Sequence, residues 1–140
     1  MTKITLKSRL ILYNKGRILL LEQQKNNGGN FSLVGGNLEK GETAKYALIR
    51  ESEEETGILL KEEHLVLAHV LLKKTKKGQR VTFYFKAIRW EGELRSRELE
   101  KFKKVAWFPL YSLPKNLTST VRHVLHQYRK GIMYSEFDAA

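Results

Sequence analysis

The chain has 140 residues, enough for one domain with a buried core and too few for two. Its 41% hydrophobic and 10% aromatic content excludes a disordered chain, and no apolar run nears the ~18 residues of a membrane span. Zero cysteines exclude disulfides, thiolate metal sites and a cysteine nucleophile, and 26 Lys and Arg against 15 Asp and Glu give a net charge of +11.

That charge implies a polyanionic partner (nucleotide, nucleic acid or anionic surface) or else a generally basic, solubilising exterior. With no signal-peptide pattern at the start, the expected location is the cytoplasm. No membrane association is expected. The oligomeric state stays open, a homodimer included.

Ile4 to Tyr13 is rich in β-branched and large apolar residues and reads as a strand. Asn14-Lys15-Gly16 is a tight-turn signal, and Arg17 to Leu21 reads as the second strand of a hairpin. Gln23 to Asn30 is a polar loop. Phe31 to Val34 reads as a short strand stopped by Gly35-Gly36. Thr43 to Thr56 lacks Gly and Pro, with Thr43 placed to cap its start and Gly57 at its end, so it reads as a helix.

Strand character then returns in Leu65 to Leu72 and Val81 to Trp90, flanking a basic connection from Lys73 to Gln79. Arg95 to Lys104 is charged and fits no period. Val105 to Phe108 reads as a strand closed by Pro109. Leu117, Val121, Val124, Leu125 and Tyr128 recur at helical spacing, and Gly131 ends that element. Glu136 to Ala140 reads as a frayed tail. The order, strands, helix, strands, helix, predicts an α+β sandwich forming a single domain over residues 1–140.

The charge is unevenly spread. Between Glu39 and Glu55 stand six glutamates and three basic residues, a local balance of −3 that leaves +14 on the rest of the chain. Glu51, Glu53, Glu54 and Glu55 crowd one helical stretch, where like charges three and four residues apart cost a few tenths of a kcal/mol per pair. At 100° per residue, Glu51, Glu54 and Glu55 lie within roughly a 100° arc, continuous with Ala47, Leu48 and Ala44. Glu53 falls almost opposite and reads as solvated. Carboxylates at the edge of a core-facing stripe call for a cation, and hard oxygen donors select Mg²⁺ or Mn²⁺ over zinc. A solvated helix face is the plainer explanation of such a run. Gly35-Gly36 after a strand, Gly41-Glu42 in the loop and Arg50 beside Glu51 favour the site instead. Arg50 can reach back to Glu42.

These residues match a known signature. Gly36, five residues, Glu42, seven residues, then Arg50-Glu51-Ser52-Glu53-Glu54-Glu55-Thr56-Gly57-Ile58 resembles the Nudix box of the MutT-like Nudix hydrolases. The box covers 36–58, and its one departure is Ser52, where the family prefers a bulky aliphatic residue. The resemblance implies an α/β/α sandwich with a mixed β-sheet between helices. It also implies an enzyme that hydrolyses phosphorus-containing acid anhydrides, cleaving a nucleoside diphosphate linked to another group. By that pattern Glu51, Glu54 and Glu55 bind Mg²⁺ or Mn²⁺, with the Gly35 carbonyl as a further ligand, while Arg50 and Glu42 form a structural salt bridge. The general base is Glu54 or a glutamate of the later loop, Glu98 or Glu100, with Glu98 preferred.

Outside the box, the basic run up to Arg80 and the cluster Arg95, Arg97, Lys101, Lys103 and Lys104 are placed either to hold phosphates or merely to solubilise. Phe31, Arg80 and Tyr84 are the candidate substrate contacts, the rings by stacking on a base. Four histidines form no coherent metal set. Lys73 stands where ADP-ribose enzymes of the family carry a proline, and the tyrosine of dinucleoside-polyphosphate enzymes is missing. What remains is a pyrophosphohydrolase of (deoxy)nucleoside triphosphates giving monophosphate and pyrophosphate. Its rivals are an RNA 5′-end pyrophosphohydrolase and a non-catalytic nucleotide-binding module.

Overall fold

The computed structural model describes residues 3–139. In chain order the elements are β1 (Lys3–Ile11), β2 (Tyr13–Asn14), β3 (Arg17–Gln23), β4 (Phe31–Ser32), β5 (Gly35–Asn37), α1 (Ala44–Thr56), β6 (Leu65–Thr75), β7 (Gly78–Ala87), β8 (Phe102–Pro109), α2 (Ser119–Arg129) and β9 (Tyr134–Asp138). They build a mixed five-stranded sheet, β5-β1-β7-β6-β9, in which β1 runs parallel to β7 and β6 parallel to β9. A smaller antiparallel sheet is centred on β3, which pairs with β2 and β4 on one side and β8 on the other.

Both faces of the larger sheet are covered. Leu48 of α1 packs with Leu10, Leu65 and Phe85, whereas Val121, Val124 and Leu125 of α2 pack with Ile11, Leu71 and Tyr84. This is why β1 runs out into an unbroken apolar stretch rather than an alternating one, Leu10-Ile11-Leu12 being at most 1% exposed; Ile18 to Leu21 of β3, in the smaller sheet, are buried to the same extent. The α+β sandwich expected from the element order is the one found. No helix among the described residues is long and apolar enough to cross a membrane.

The structure corrects four segment readings. Ile4 to Tyr13 is not one strand, because Leu12 accepts the amide of Leu19 (3.0 Å) and carries the chain from the larger sheet into the smaller. Gly35-Gly36 does not stop a strand. These glycines form β5 with Asn37 and pair with β1, so the sheet changes between Ser32 and Gly35. A Cβ on Gly35, at φ 140°, would lie 2.1 Å from the Ser8 carbonyl oxygen, so only glycine fits this close approach. The basic connection shrinks to Lys76-Lys77, since Lys73 to Thr75 and Gly78 to Arg80 are paired strand.

The fourth correction is the expected tail. Glu136 to Asp138 belong to β9, an edge strand, and Ala140 lies outside the described residues. A buried polar chain fastens this strand. His69, fully buried in β6, donates from Nδ1 to the Ile132 carbonyl (2.7 Å). Its Nε2 then accepts from the Ser135 hydroxyl (2.7 Å), which in turn accepts from His123 Nε2 of α2 (2.9 Å). One hydroxyl hydrogen thereby orders three elements.

Candidate active site

The site is built around α1. Thr43 Oγ1 caps its start by accepting the Tyr46 amide (3.3 Å), and Gly57, left-handed at φ 77°, ends it by donating to the Glu53 carbonyl. The last-turn carbonyls lack intrahelical partners, and the loop after β7 supplies them: Arg97 N donates to Glu55 O (2.8 Å) and Arg95 N to Thr56 O (3.1 Å). Those bonds bring Glu98 to the helix end. On the sheet side, Ala47, Leu48 and Ser52 are fully buried, and Ser8 Oγ donates to the Ala44 carbonyl (2.8 Å). Ser52 Oγ is buried without a partner, a cost an aliphatic residue would avoid.

The three aligned carboxylates emerge with graded burial. Glu55 is 5% exposed and accepts the Gly35 amide at Oε1 (3.0 Å). Burial is the main cause that pushes its carboxyl up to about 8. The Gly35 amide and Arg9 oppose the shift, and Glu51 and Glu98 add to it. Glu51 lies against the backbone of Gly36, where a Cβ would be 2.7 Å from the carboxyl carbon. Glu54 is half-exposed. Glu53 is exposed, as expected of a solvated residue, and lines an open cleft of about 660 Å³ together with Tyr46, Arg50, Glu54, Glu98 and Glu100. The cleft exists because the loop after β7 folds back onto α1, which helical angles alone do not reveal.

Arg50 reaches back to Glu42, as expected, and also bonds to its helix neighbours. Its Nε and Nη2 make a two-bond fork to Glu42 (2.7 and 2.9 Å), while Nη1 reaches Glu51 (3.0 Å) and Glu54 (3.4 Å). The fork holds the Glu42 carboxyl below its ordinary range, helped by the Glu39 amide. The same bonds hold the Arg50 guanidinium more firmly protonated than usual. Among the described residues no three acids are pre-assembled around a common point, because Nη1 stands between Glu51 and Glu54 and Glu55 is turned onto Gly35. The donors nevertheless fit a hard divalent cation. They are carboxylate oxygens, and two of them already converge on one cationic nitrogen.

The rest of the expected site divides. The Gly35 carbonyl faces Arg9 Nη1 (3.4 Å) at the sheet edge beside these acids. Glu98 is mostly sheltered, with Lys101 Nζ 3.6 Å away, and its charge reaches Glu55. Phe31 and Tyr84 are corrected: at 8% and 2% exposure both are core residues, Phe31 packed edge-on against Phe108 (4.9 Å), and neither ring offers a free face to a base. Arg80 is partly exposed on β7, with Nε buried and without an acceptor. Sequence reasoning missed Arg9 and Lys7, which the strand register brings next to the site. Their positions two residues apart in β1 were the available signal.

The NUDIX domain family matches residues 7–128 of this chain. A curated relative, the ADP-ribose pyrophosphatase of Methanocaldococcus jannaschii, is 33% identical over 106 residues, covering 74% of this chain and 62% of the relative. The chain thus spans less than two thirds of that relative's length. Among solved structures, the MutT NUDIX hydrolase from Burkholderia pseudomallei is 29% identical with a TM-score of 0.80, covering 89% of this chain and 98% of that one. The MutT protein from Bacillus halodurans, at 24% identity and TM-score 0.73, covers 96% and 89% and shares the fold.

Proposed function

The chain belongs to the NUDIX domain family, and from that premise we propose that it is a pyrophosphohydrolase of nucleoside diphosphates linked to a further group, with (deoxy)nucleoside triphosphates as substrates. The observation that carries this reading is the set of three glutamates, Glu51, Glu54 and Glu55, ranged along α1 beside the Gly35-Gly36 edge. Those carboxylates, with the Gly35 carbonyl, would hold Mg²⁺ or Mn²⁺. When bound, such an ion polarises phosphate oxygens and lowers the pKa of water.

The protein's own residues supply the rest. The Arg50–Glu42 fork fixes the loop 38–43 against α1 and so sets where Glu51 and Glu54 lie. Glu98, tethered through the bond of its neighbour Arg97 to Glu55 O, accepts the proton of the attacking water, with Glu54 as the alternative base. The water oxygen bonds to phosphorus, the anhydride P–O bond breaks, and pyrophosphate leaves with the bonding pair. Arg9 stands at the site's edge to meet the charge of a phosphate.

The test identifies the products from a panel of substrates: pyrophosphate and monophosphate from triphosphates, a mononucleotide and ribose phosphate from ADP-ribose, and two nucleotides from dinucleoside polyphosphates. ADP-ribose is included because the curated relative is named for it. Glu54→Gln should lower kcat by roughly 10²–10⁴-fold, since it removes a carboxylate that would hold the metal and is also the alternative base. Full activity in that variant, or nucleotide binding without product from the native protein, refutes the reading.

A further inference from the structure

The reaction proposed above leaves one part of a nucleotide without a place. Carboxylates and metal would hold its phosphates, but Phe31 and Tyr84, the rings expected to stack on its base, are core residues. A base gains from a flat aromatic face, and such stacking tolerates any base because each has a π-face. The wider cleft lined by Lys7, Lys40 and Arg80 contains no aromatic ring and offers no such face. The base therefore calls for an exposed ring within reach of Glu54.

The helix that carries the acids also carries such a ring. Tyr46 of α1 is 61% exposed, and only its backbone amide is engaged, by Thr43 Oγ1; the side chain makes no hydrogen bond to any described residue. Lys, Glu or Gln would favour a helix more at an exposed position, so neither packing nor propensity accounts for a tyrosine here. At 100° per residue, Ile49, Glu53, Tyr46 and Arg50 spread over roughly 100° of the helix surface, and Glu54 borders that stripe about 40° further on. Glu54 also begins the arc that continues through Glu51 to Glu55. It is the carboxylate that the two stripes share. Along the axis Tyr46 and Glu54 stand two turns apart, about 12 Å for eight residues, a distance that a sugar and its phosphates bridge.

The fold turns the stripe into one wall of the cleft of about 660 Å³, a volume suited to a small ligand. α1 supplies Tyr46, Ile49, Glu53 and Glu54, and the loop after β7 supplies Arg97 and Glu100 opposite. Tyr46 is the one aromatic ring of this cleft among the described residues. The facing wall is fixed in advance. Gln24 holds it from β3's side, donating from Nε2 to Leu99 O (2.8 Å) and from its backbone to Lys101 O (2.8 Å). The Arg95 and Arg97 amides hold it to the end of α1. A base entering beside Glu54 thus meets a preformed slot with an aromatic face.

We propose that Tyr46 is the platform on which the base of the nucleotide substrate stacks, with Ile49 beside it, while the phosphates lie at Glu51, Glu54 and Glu55. The assignment rests on the pyrophosphohydrolase reading and adds a base subsite to the same site. It is independent of the group linked to the diphosphate, because every nucleotide of the panel keeps a base. Stacking at a distance from the reacting phosphorus is the same in the ground state and the transition state, so it acts on KM rather than kcat.

The experiment measures KM and kcat of the native protein, Tyr46→Ala and Tyr46→Phe on whichever nucleotide of the panel is cleaved fastest. Inorganic tripolyphosphate, which has no base, serves as a competing inhibitor of all three proteins. Because the ring is exposed, neither substitution touches the core. Tyr46→Ala should raise KM about tenfold, towards the lower end for the loss of one stacked base, and leave kcat within about twofold. The inhibition constant of tripolyphosphate should stay within about twofold throughout, and Tyr46→Phe, which keeps the π-face, should restore the native KM. An unchanged KM in Tyr46→Ala, an equal rise in the tripolyphosphate constant, or a KM in Tyr46→Phe as high as in Tyr46→Ala overturns the proposal. Each of those results leaves the pyrophosphohydrolase reading standing. If no nucleotide is cleaved that reading fails, and calorimetric titration with ATP then decides the platform: binding about tenfold weaker in Tyr46→Ala supports it, and equal binding overturns it.

Discussion

The two sides of the five-stranded sheet treat charge in opposite ways. On the α1 side a single guanidinium, Arg50, is shared among Glu39, Glu42, Glu51 and Glu54, and a backbone amide serves Glu55. On the α2 side Lys7, Arg9, Lys73 and Arg80 stand together with hydroxyls and carbonyls for company. The first arrangement sets one cation against four carboxylates, so it holds a shape while staying net acidic. The second has no ion-pair partner among the described residues. Between them lies β5, where two glycines bring the two systems within reach of each other. The net charge of +11 is therefore the sum of an acidic segment that one guanidinium only partly offsets and a larger basic remainder.

Breaking the acidic side should have the largest effect. Arg50→Lys keeps the charge but loses the planar fork to Glu42, releasing the loop 38–43 from α1. We expect kcat/KM to drop by about 10²-fold, the scale of an ångström-sized misplacement, with the folded circular-dichroism spectrum retained and new protease cleavage within 38–43. Unchanged kinetics and an intact loop would show that the fork does not position the acids.

A smaller effect tests the buried end of the same network. Glu55 titrates near 4.5 in the unfolded chain and at about 8 when folded, so the metal-free protein loses stability as pH rises between those values. Glu55→Gln cannot ionise. It should match the native protein at pH 5 in EDTA and exceed it at pH 8 by on the order of 2 kcal/mol in denaturant unfolding. A difference that does not change with pH would mean that the native carboxyl is already ionised in the fold.

The smallest effect is expected on the basic side, with the opposite sign to that of a lost ion pair. Lys7 is held down to about 8 by burial and by neighbouring cations, so its charged form weighs against the fold below that pH, and stability recovers as pH rises towards 10.5. Lys7→Met should stabilise the ligand-free protein at pH 7 by about 1 kcal/mol, less than the shift's face value because the group is partly screened by solvent. Added polyphosphate should narrow the gap, since only the native side chain gains from the anion. A destabilised Lys7→Met would show that the cluster is not under electrostatic strain.

Much of the acidic side was legible before folding because it is local. Thr43, Gly57 and the absence of Gly and Pro define α1, and a fixed helical angle places Glu51, Glu54 and Glu55 on one arc. Arg50 to Glu42 spans eight residues, one loop and two helical turns. The basic side was illegible for the converse reason. Lys7 and Arg80 are 73 positions apart in the sequence and become neighbours only through the parallel register of β1 on β7, which no local pattern encodes. The rings misled in the same way: Phe31 and Tyr84 look alike whether they stack on a ligand or on Phe108 and the core. His69, Ser135 and His123 likewise formed a chain only once β9 docked beside β6.

The sequence by itself determined the helix, its caps, the carboxylate arc and the family to which the chain belongs, since each depends on spacing within a short stretch. Tertiary structure decided which sheet each strand joined, which aromatics were buried, that the later loop would cap α1 and deliver Glu98, and that four cations would share one face. Those outcomes depend on strand register and sheet choice. Both are set by the joint burial of distant apolar residues such as Leu10, Leu48 and Phe85 rather than by any one segment.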